Sequence, residues 1–96
     1  MDTINQSDFP RITVILPIRN EERFIARTIS FIQQQDYPKE KLEILVVDGQ
    51  SEDRTASIVS ELARSDHRIH LIDNPGRSSS TARAVGAERA FLAALG

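Results

Sequence analysis

The chain has 96 residues, of which 40% are hydrophobic and 27% charged, which is typical of one small globular domain. The net charge is −2 and no basic block is present, which argues against nucleic acid as a partner. Cysteine is absent, so disulfides, thiolate zinc sites and a cysteine nucleophile are excluded. No apolar run reaches the roughly 20 residues of a membrane-spanning helix. Residues 1–10 are expected to form a flexible leader and lack the features of a signal peptide.

The first predicted strand is the β-branched run Arg11–Ile18, whose end is marked by Pro17, because proline cannot donate a hydrogen bond to a neighbouring strand. A helix follows, with Asn20 as its expected N-cap and glutamates in its first turn, where the helix dipole favours them. Apolar residues then recur at helical spacing until Tyr37–Pro38 ends the helix.

Two further strands are predicted at Leu42–Val47 and Arg68–Ile72. Leu42–Val47 is almost continuously apolar, as expected of a strand buried on both faces of a parallel sheet. The helix between these strands can be capped by Ser51 or Asp53, and an alanine-rich helix follows the third strand. Strands that alternate with helices predict an α/β fold with a three-stranded parallel sheet in βαβαβα order.

The loops that follow the three strands meet at one edge of such a sheet, and open α/β folds bind their ligands at this edge. Asp48 is the strongest candidate there, because it lies where a buried strand meets a turn. A carboxylate held by rigid backbone can accept hydrogen bonds from a nucleobase or a ribose. Alternatively, Asp48 only caps the following helix, and its local sequence leaves both roles open.

The loops after the first and third strands carry weaker signals. Amides at a helix start can hold an anion, but Glu21 and Glu22 would repel one, so contacts to a neutral base or ribose fit the first loop better. In the third loop Arg77, Arg83 and several hydroxyl side chains suit phosphate or polar-ring recognition. Both loops can also be simple capped turns. The glycine patterns of Walker A loops and of dinucleotide-binding folds are absent.

Taken in order, the segments ITVILPIRNEERFI, QQQDYPKEKLEILVVDGQSEDRT and RIHLIDNPGRSSSTARAVGAERA resemble the family-2 glycosyltransferases of the GT-A fold. That family combines a strand ending in Pro-x-x-Asn-Glu, a Gln-x-Tyr-Pro helix end and a Val-Val-Asp-x-x-Ser-x-Asp-x-Thr turn. A third strand follows, with Asn-x-Gly and an Ala-Arg-Asn-type helix. The resemblance covers about residues 11–90. The motifs VVDGQSEDRT and DNPG are similar to those of the branch of the family that makes bacterial exopolysaccharides such as succinoglycan.

The resemblance implies that residues 11–96 are a truncated nucleotide-binding half of a GT-A, Rossmann-like sheet. The implied reaction moves a sugar from a nucleoside-diphosphate sugar, with a UDP-sugar as the expected donor, to a glycan or lipid acceptor. The resemblance also implies that Asp48 binds the uracil or other base of the nucleotide. The residues implied to bind the nucleotide are Pro17, Glu21, Asp48, Ser51 and Arg83. Two positions depart from the family pattern, since Gly49 replaces a common second aspartate and Ala84 replaces an asparagine.

In this family a later Asp-x-Asp motif holds Mg²⁺ or Mn²⁺ and a later carboxylate acts as the base, and neither is present in the 96 residues. We therefore expect no metal site, no cofactor and no catalytic residue in the chain, and incomplete catalysis by the chain alone. The alternative is a non-catalytic nucleotide-binding or protein-interaction module. We further expect a cytoplasmic location, at the inner membrane face in a longer parent, and self-association through Arg11–Ile18 as an open strand edge.

Overall fold

A computed structural model describes residues 9–75 and Gly86. Its regular elements alternate between strands and helices, as the sequence predicts. They are β1 (Ile12–Ile18), α1 (Ile25–Gln33), a 3-10 turn (Lys39–Lys41), β2 (Leu42–Asp48), α2 (Thr55–Ser65) and β3 (Ile69–Asp73). Each predicted strand boundary lies within one residue of the observed one.

The three strands form a parallel sheet in the order β1-β2-β3, which confirms the predicted α/β fold class. The central strand is the one with the continuous apolar run, and only Glu43 among its seven residues is not buried. At the carboxyl end of the sheet, Ile18, Asp48 and Asp73 are register partners on neighbouring strands. Pro17 is tolerated one residue before the end of β1 because β1 lies at an edge of the described sheet.

Helices α1 and α2 pack on the same face of the sheet and form the main hydrophobic core with β2 and β3. The buried members of this core are Ile25, Ile29, Ile44, Val46, Val59 and Ile69. On the opposite face Leu45 and Val47 are also buried. The helical residue Gly86 is buried and lies against Ile15 on this second face. The sheet is therefore covered on both faces, as the apolar pattern of the central strand predicts.

The start of α1 differs from the prediction that Asn20 caps it. Asn20 has a φ of 54°, in the left-handed region, and a hydrogen-bonded turn begins at Glu21, whose carbonyl oxygen accepts from the amides of Phe24 and Ile25 at 3.0 and 2.9 Å. The regular helix then starts at Ile25 without a side-chain cap. The physical reason is that the Asn20 side chain accepts a hydrogen bond from Glu52, in the loop after β2.

The predicted leader meets the described structure at its last two residues. The rings of Phe9 and Tyr37 pack edge to face with centroids 5.2 Å apart, and the Tyr37 hydroxyl donates a hydrogen bond to the carbonyl oxygen of Pro10. Residues 1–8 lie outside the described residues, as does the predicted last helix except for Gly86. Within the described part of the chain, no helix has the length and apolar character needed to cross a membrane.

Candidate functional site

The carboxyl ends of the strands form a rigid edge, because the ladder of backbone hydrogen bonds extends beyond the last strand residues. The Gly49 amide donates to the Ile18 carbonyl oxygen at 2.8 Å, and the Asn74 amide donates to the Asp48 carbonyl oxygen at 2.8 Å. Asn74 is fully buried. The backbone on both sides of Asp48 is thus fixed by neighbouring strands, which is the setting expected of a preorganised site.

Asp48 is the buried acidic side chain at this edge, with 6% of its surface exposed. Its Oδ1 accepts a hydrogen bond from the Ser51 hydroxyl at 2.5 Å, and the Ser51 amide lies 3.4 Å from Oδ1 and 3.3 Å from Oδ2. A carboxylate can accept about four hydrogen bonds, so its contacts with the described residues leave Oδ2 with acceptor capacity. The turn-capping role and the ligand-binding role, which the sequence left open, are therefore compatible in one geometry.

Ser51 links Asp48 to the loop after β1. Its hydroxyl donates to Asp48 and accepts a hydrogen bond from the Asn20 amide at 2.8 Å. All of these contacts are within the protein. In the described geometry Ser51 therefore orients the Asp48 carboxylate.

Side chains of the first two loops bind each other's backbone. Asn20 Oδ1 accepts from the Glu52 amide at 2.8 Å, and Arg19 Nε donates to the Gly49 carbonyl oxygen at 3.1 Å. Arg19 Nη2 also lies 3.3 Å from a carboxylate oxygen of Glu52. The positive φ values of Asn20 and Gln50, 54° and 59°, occur within this contact region. The two loops therefore form one connected surface beside Asp48.

The amides at the start of the first helical turn are occupied by the second loop. The Glu21 amide donates to the Thr55 hydroxyl oxygen at 2.8 Å, and the Glu22 amide donates to Asp53 Oδ2 at 3.2 Å. Binding of a phosphate by these amides would require both contacts to break. The geometry therefore favours contacts to an uncharged group at this loop, as the two glutamates also suggest.

Asp53 holds the start of α2 and is one of the two caps that the sequence proposes. Its Oδ1 accepts from the Thr55 amide at 2.9 Å and from the Thr55 hydroxyl. The Thr55 hydroxyl, helped by the amides of Thr55 and Glu22, holds the pKa of Asp53 below its usual value. These contacts engage both oxygens of Asp53 within the protein, which supports a structural role.

Replacement of Thr55 by valine is expected to loosen the junction between the two loops, because Thr55 is fully buried and its hydroxyl oxygen accepts the Glu21 amide. A loss of about 1–2 kcal/mol in the free energy of unfolding is expected for a buried polar contact of this kind. The more specific measurement is hydrogen exchange at the Glu21 amide, which should become faster in Thr55→Val. Thr55→Ser keeps the hydroxyl and should leave that amide protected, and equal exchange in both variants would contradict the assignment.

The remaining predicted site residues lie at different places. Pro17 is half-buried on β1 and pairs with Val47, so it lies on the sheet face opposite Asp48. Glu21 is exposed beside the first loop. Arg83 lies outside the described residues. Within residues 9–75, no cluster of three or more histidine, aspartate or glutamate side chains is placed to hold a metal ion. The described residues therefore do not fit a metal site.

Comparison with known proteins decides the family. The sequence profile of glycosyl transferase family 2 matches residues 13–92. The chain belongs to this family. Family membership agrees with the parallel sheet and with the position of the candidate edge at the carboxyl ends of its strands.

Two curated relatives show this similarity, one from a bacterium and one from an archaeon. A probable glycosyltransferase of Bacillus subtilis, YdaM, is 35% identical over 82 residues, which are 81% of this chain and 20% of that protein. The glycosyltransferase AglE of Haloferax volcanii is 36% identical over 90 residues, which are 93% of this chain and 30% of that protein. The chain thus spans between a fifth and a third of the length of these two relatives.

A solved structure shares the fold. The mannosyltransferase PcManGT of Pyrobaculum calidifontis, in complex with GDP-mannose and Mn²⁺, is 39% identical and superimposes with a TM-score of 0.64. The similarity covers 72% of this chain and 21% of that protein. This chain therefore has the architecture of part of a GT-A glycosyltransferase, as the sequence motifs imply.

Proposed function

We propose that the edge formed by the loops after β1 and β2 binds the nucleoside of a nucleoside-diphosphate sugar, and that the associated activity is transfer of its sugar to a glycan or lipid acceptor. The observation that carries this proposal is the buried Asp48 carboxylate at the carboxyl end of the central strand. Family membership and the GDP-mannose complex of the structural relative support a nucleotide sugar as the ligand. We also propose that the chain belongs to the branch of the family that makes bacterial exopolysaccharides.

The chemistry of Asp48 restricts the base. An ionised carboxylate only accepts hydrogen bonds, so a base that it contacts must present N–H donors, whereas a ribose would present O–H donors. Uracil offers a ring N–H between two carbonyl groups, and guanine offers a ring N–H beside an amino group. Cytosine has an unprotonated ring nitrogen at the position where uracil carries its N–H, so it can donate only through its exocyclic amino group. Uridine, as the expected donor nucleoside, and guanosine, as in the relative's ligand, are therefore the compounds to compare with cytidine.

The other four proposed nucleotide-binding residues have different supporting observations. Ser51 orients Asp48 through its hydroxyl, and Glu21 is exposed at the first loop. Pro17 on β1 and Arg83 are proposed from the family pattern alone. Mg²⁺ or Mn²⁺ would neutralise the leaving diphosphate in a complete family member, but the described residues do not fit such an ion. Association of two chains through β1 stays a prediction, which analytical sedimentation tests.

Calorimetric titration of the chain with UDP, GDP and CDP, each with and without Mn²⁺, tests the proposal. UDP or GDP is expected to bind more tightly than CDP, and Asp48→Asn should weaken that binding at least roughly tenfold, because a hydrogen bond to a charged group contributes about 1.5–3 kcal/mol. Asparagine keeps an oxygen that can accept from Ser51, so the turn should persist.

Glu61→Gln is the control for the loss of one negative charge, since Glu61 is an exposed carboxylate on α2. Its affinity for nucleotide should equal that of the unchanged chain. Thermal melts show whether both variants are folded. No binding of any of the three nucleotides, or equal binding by a folded Asp48→Asn variant, would contradict the proposal.

A further inference from the structure

A second candidate site lies at the amino ends of the strands, at the edge of the sheet opposite Asp48. It is a cleft of about 380 Å³ that includes the first residues of β1 and β2. Its charged lining is mostly basic and comprises Arg11, Lys39, Lys41, Arg68, Glu40 and Glu43. Since strand residues advance about 3.3 Å each, the seven-residue strand β2 separates this cleft from Asp48 by roughly 20 Å.

One cation of this cleft is already in an ion pair, and one of its carboxylates has polar neighbours. Arg68 forms an ion pair with Asp66 at 2.7 Å. Glu43 accepts a hydrogen bond from the Thr13 hydroxyl at 3.3 Å and lies 3.4 Å from His70.

Among the described residues, the other cations of the cleft have no carboxylate partner. Within residues 9–75, Arg11, Lys39 and Lys41 form no ion pair, and Glu40 is the one other acidic residue of the lining. With histidine taken as neutral, as it is in the net charge of −2 of the chain, the three cations together with Glu40 and Glu43 carry a charge of +1. This local excess of positive charge is opposite in sign to the protein as a whole.

The two lysines are held on a fixed piece of backbone. They lie at the two ends of the 3-10 turn, whose Lys41 amide donates to the Pro38 carbonyl oxygen at 3.0 Å. The preceding Tyr37 is held by the ring of Phe9 and by its hydrogen bond to Pro10. Because the backbone of the turn is anchored, less backbone entropy is lost when the two lysine side chains bind an anion.

We propose that this cleft binds a phosphate group. Lysine ammonium groups bind phosphate as point charges, and the planar guanidinium of Arg11 can donate two parallel hydrogen bonds to phosphate oxygens. The volume of the cleft falls within the range of about 300–1,000 Å³ that ligand sites occupy. The phosphate can belong to a soluble compound or to a lipid headgroup, since both present the same oxygens.

The composition of the chain permits a direct measurement, because Lys39 and Lys41 are its only lysines. Reductive methylation with ¹³C-formaldehyde keeps their positive charge and adds one NMR signal for each lysine, beside that of the terminal amine. Pyrophosphate is expected to shift both lysine signals along saturable curves, whereas uridine, which has no phosphate, should not shift them. Failure of nucleoside binding at Asp48 would leave this result unchanged.

Matched variants separate a site from general charge attraction. Arg11→Gln should weaken pyrophosphate binding roughly fivefold to tenfold, as expected for loss of a charge-assisted hydrogen bond. The control Arg27→Gln removes the same charge from an exposed position on α1 and should bind as the unchanged chain does. The proposal would be overturned if the two variants weakened pyrophosphate binding equally. It would also be overturned if the lysine signals shifted linearly with pyrophosphate, without saturation, and sodium chloride caused the same shifts.

Vesicles distinguish the two sources of phosphate. Co-sedimentation with phosphatidylglycerol vesicles but not with phosphatidylcholine vesicles, lost in the Lys39→Gln/Lys41→Gln double variant, would assign the cleft to an anionic headgroup. Saturable lysine shifts with pyrophosphate and no vesicle binding would assign it to a soluble phosphate compound. Neither response in the folded chain would refute the site.

Discussion

Asp66→Asn is expected to lower the free energy of unfolding by about 1–3 kcal/mol at pH 7, which lies between the effects of breaking an exposed and a fully buried ion pair. The Asp66 and Arg68 side chains are only 16% and 17% exposed. Asp66 accepts from Arg68 Nε and Nη2 and from Gln33 Nε2 at 2.9 Å, so it joins the end of α1 to the start of β3. Asparagine keeps the shape but leaves the guanidinium without its counter-charge.

The same ion pair predicts how stability depends on pH. The hydrogen bonds from the Arg68 side chain, and then that from Gln33, hold the pKa of Asp66 far below its usual value, against the opposing effect of burial. A carboxylate with a lowered pKa in the folded state stabilises the fold fully above its unfolded pKa of about 3.9, and this stabilisation is lost as the pH falls towards the folded value. The gap between the unchanged chain and Asp66→Asn should therefore be constant near neutral pH and shrink below about pH 4.

Glu61→Gln is the control for a carboxylate in an exposed ion pair. Glu61 and Arg64 are 76% and 79% exposed, and such pairs contribute little to stability. Urea unfolding monitored by circular dichroism should show no resolvable change for Glu61→Gln. Equal midpoints for Asp66→Asn and the unchanged chain at pH 7, or a gap that widens in acid, would contradict the assignment.

Gly86→Ala is expected to destabilise the chain by about 2 kcal/mol, as overpacking of a close contact does. A Cβ added at Gly86 would lie 2.7 Å from Ile15 Cγ2 and 3.3 Å from Ile15 Cδ1. Cγ2 is attached directly to Cβ of a strand residue, so it cannot move without a shift of the backbone or a change of rotamer. Alanine is favoured over glycine in a helix by only about 0.5–1 kcal/mol, so the clash should decide the sign.

A double-mutant cycle with Ile15→Ala isolates this contact. Ile15→Ala removes both of the methyl groups that approach Gly86, so Gly86→Ala should cost little or become stabilising in that background. Ile15→Val keeps a methyl group in the closest position and should rescue less. If Gly86→Ala lowers the free energy of unfolding equally with isoleucine, valine and alanine at position 15, the contact with Ile15 is not the reason that alanine is unfavourable at position 86.

The positions of the strands could be predicted from local pattern because each depends on a short apolar run. The unbroken run Leu42–Val47 correctly indicated a central strand buried on both faces. The start of α1 was predicted incorrectly for an equally physical reason. The partners of Asn20 in the second loop lie 31 and 32 residues away in the sequence, and no local propensity reports a contact at that distance.

The candidate site was only partly predictable. The location of Asp48 at the end of a buried strand follows from the sequence, whereas the orientation of its carboxylate by Ser51 required the structure. The sequence also did not predict that Thr55 and Asp53 accept hydrogen bonds from the amides of the first loop. Serine, threonine and aspartate in a turn are usually interpreted as caps of the neighbouring helix. The basic cleft at the other edge could not be predicted either, since its cations come from separate segments of the chain.

The most direct test of the nucleoside-binding edge is amide mapping of the ¹⁵N-labelled chain by NMR during titration with UDP and GDP. Saturable shifts are expected at Gly49 and Ser51, whose amides flank the Asp48 carboxylate, and they should be lost in Asp48→Asn. Shifts confined to the 3-10 turn at Lys39–Lys41, or their absence throughout the loops after β1 and β2, would contradict nucleoside binding at the carboxyl edge of the sheet.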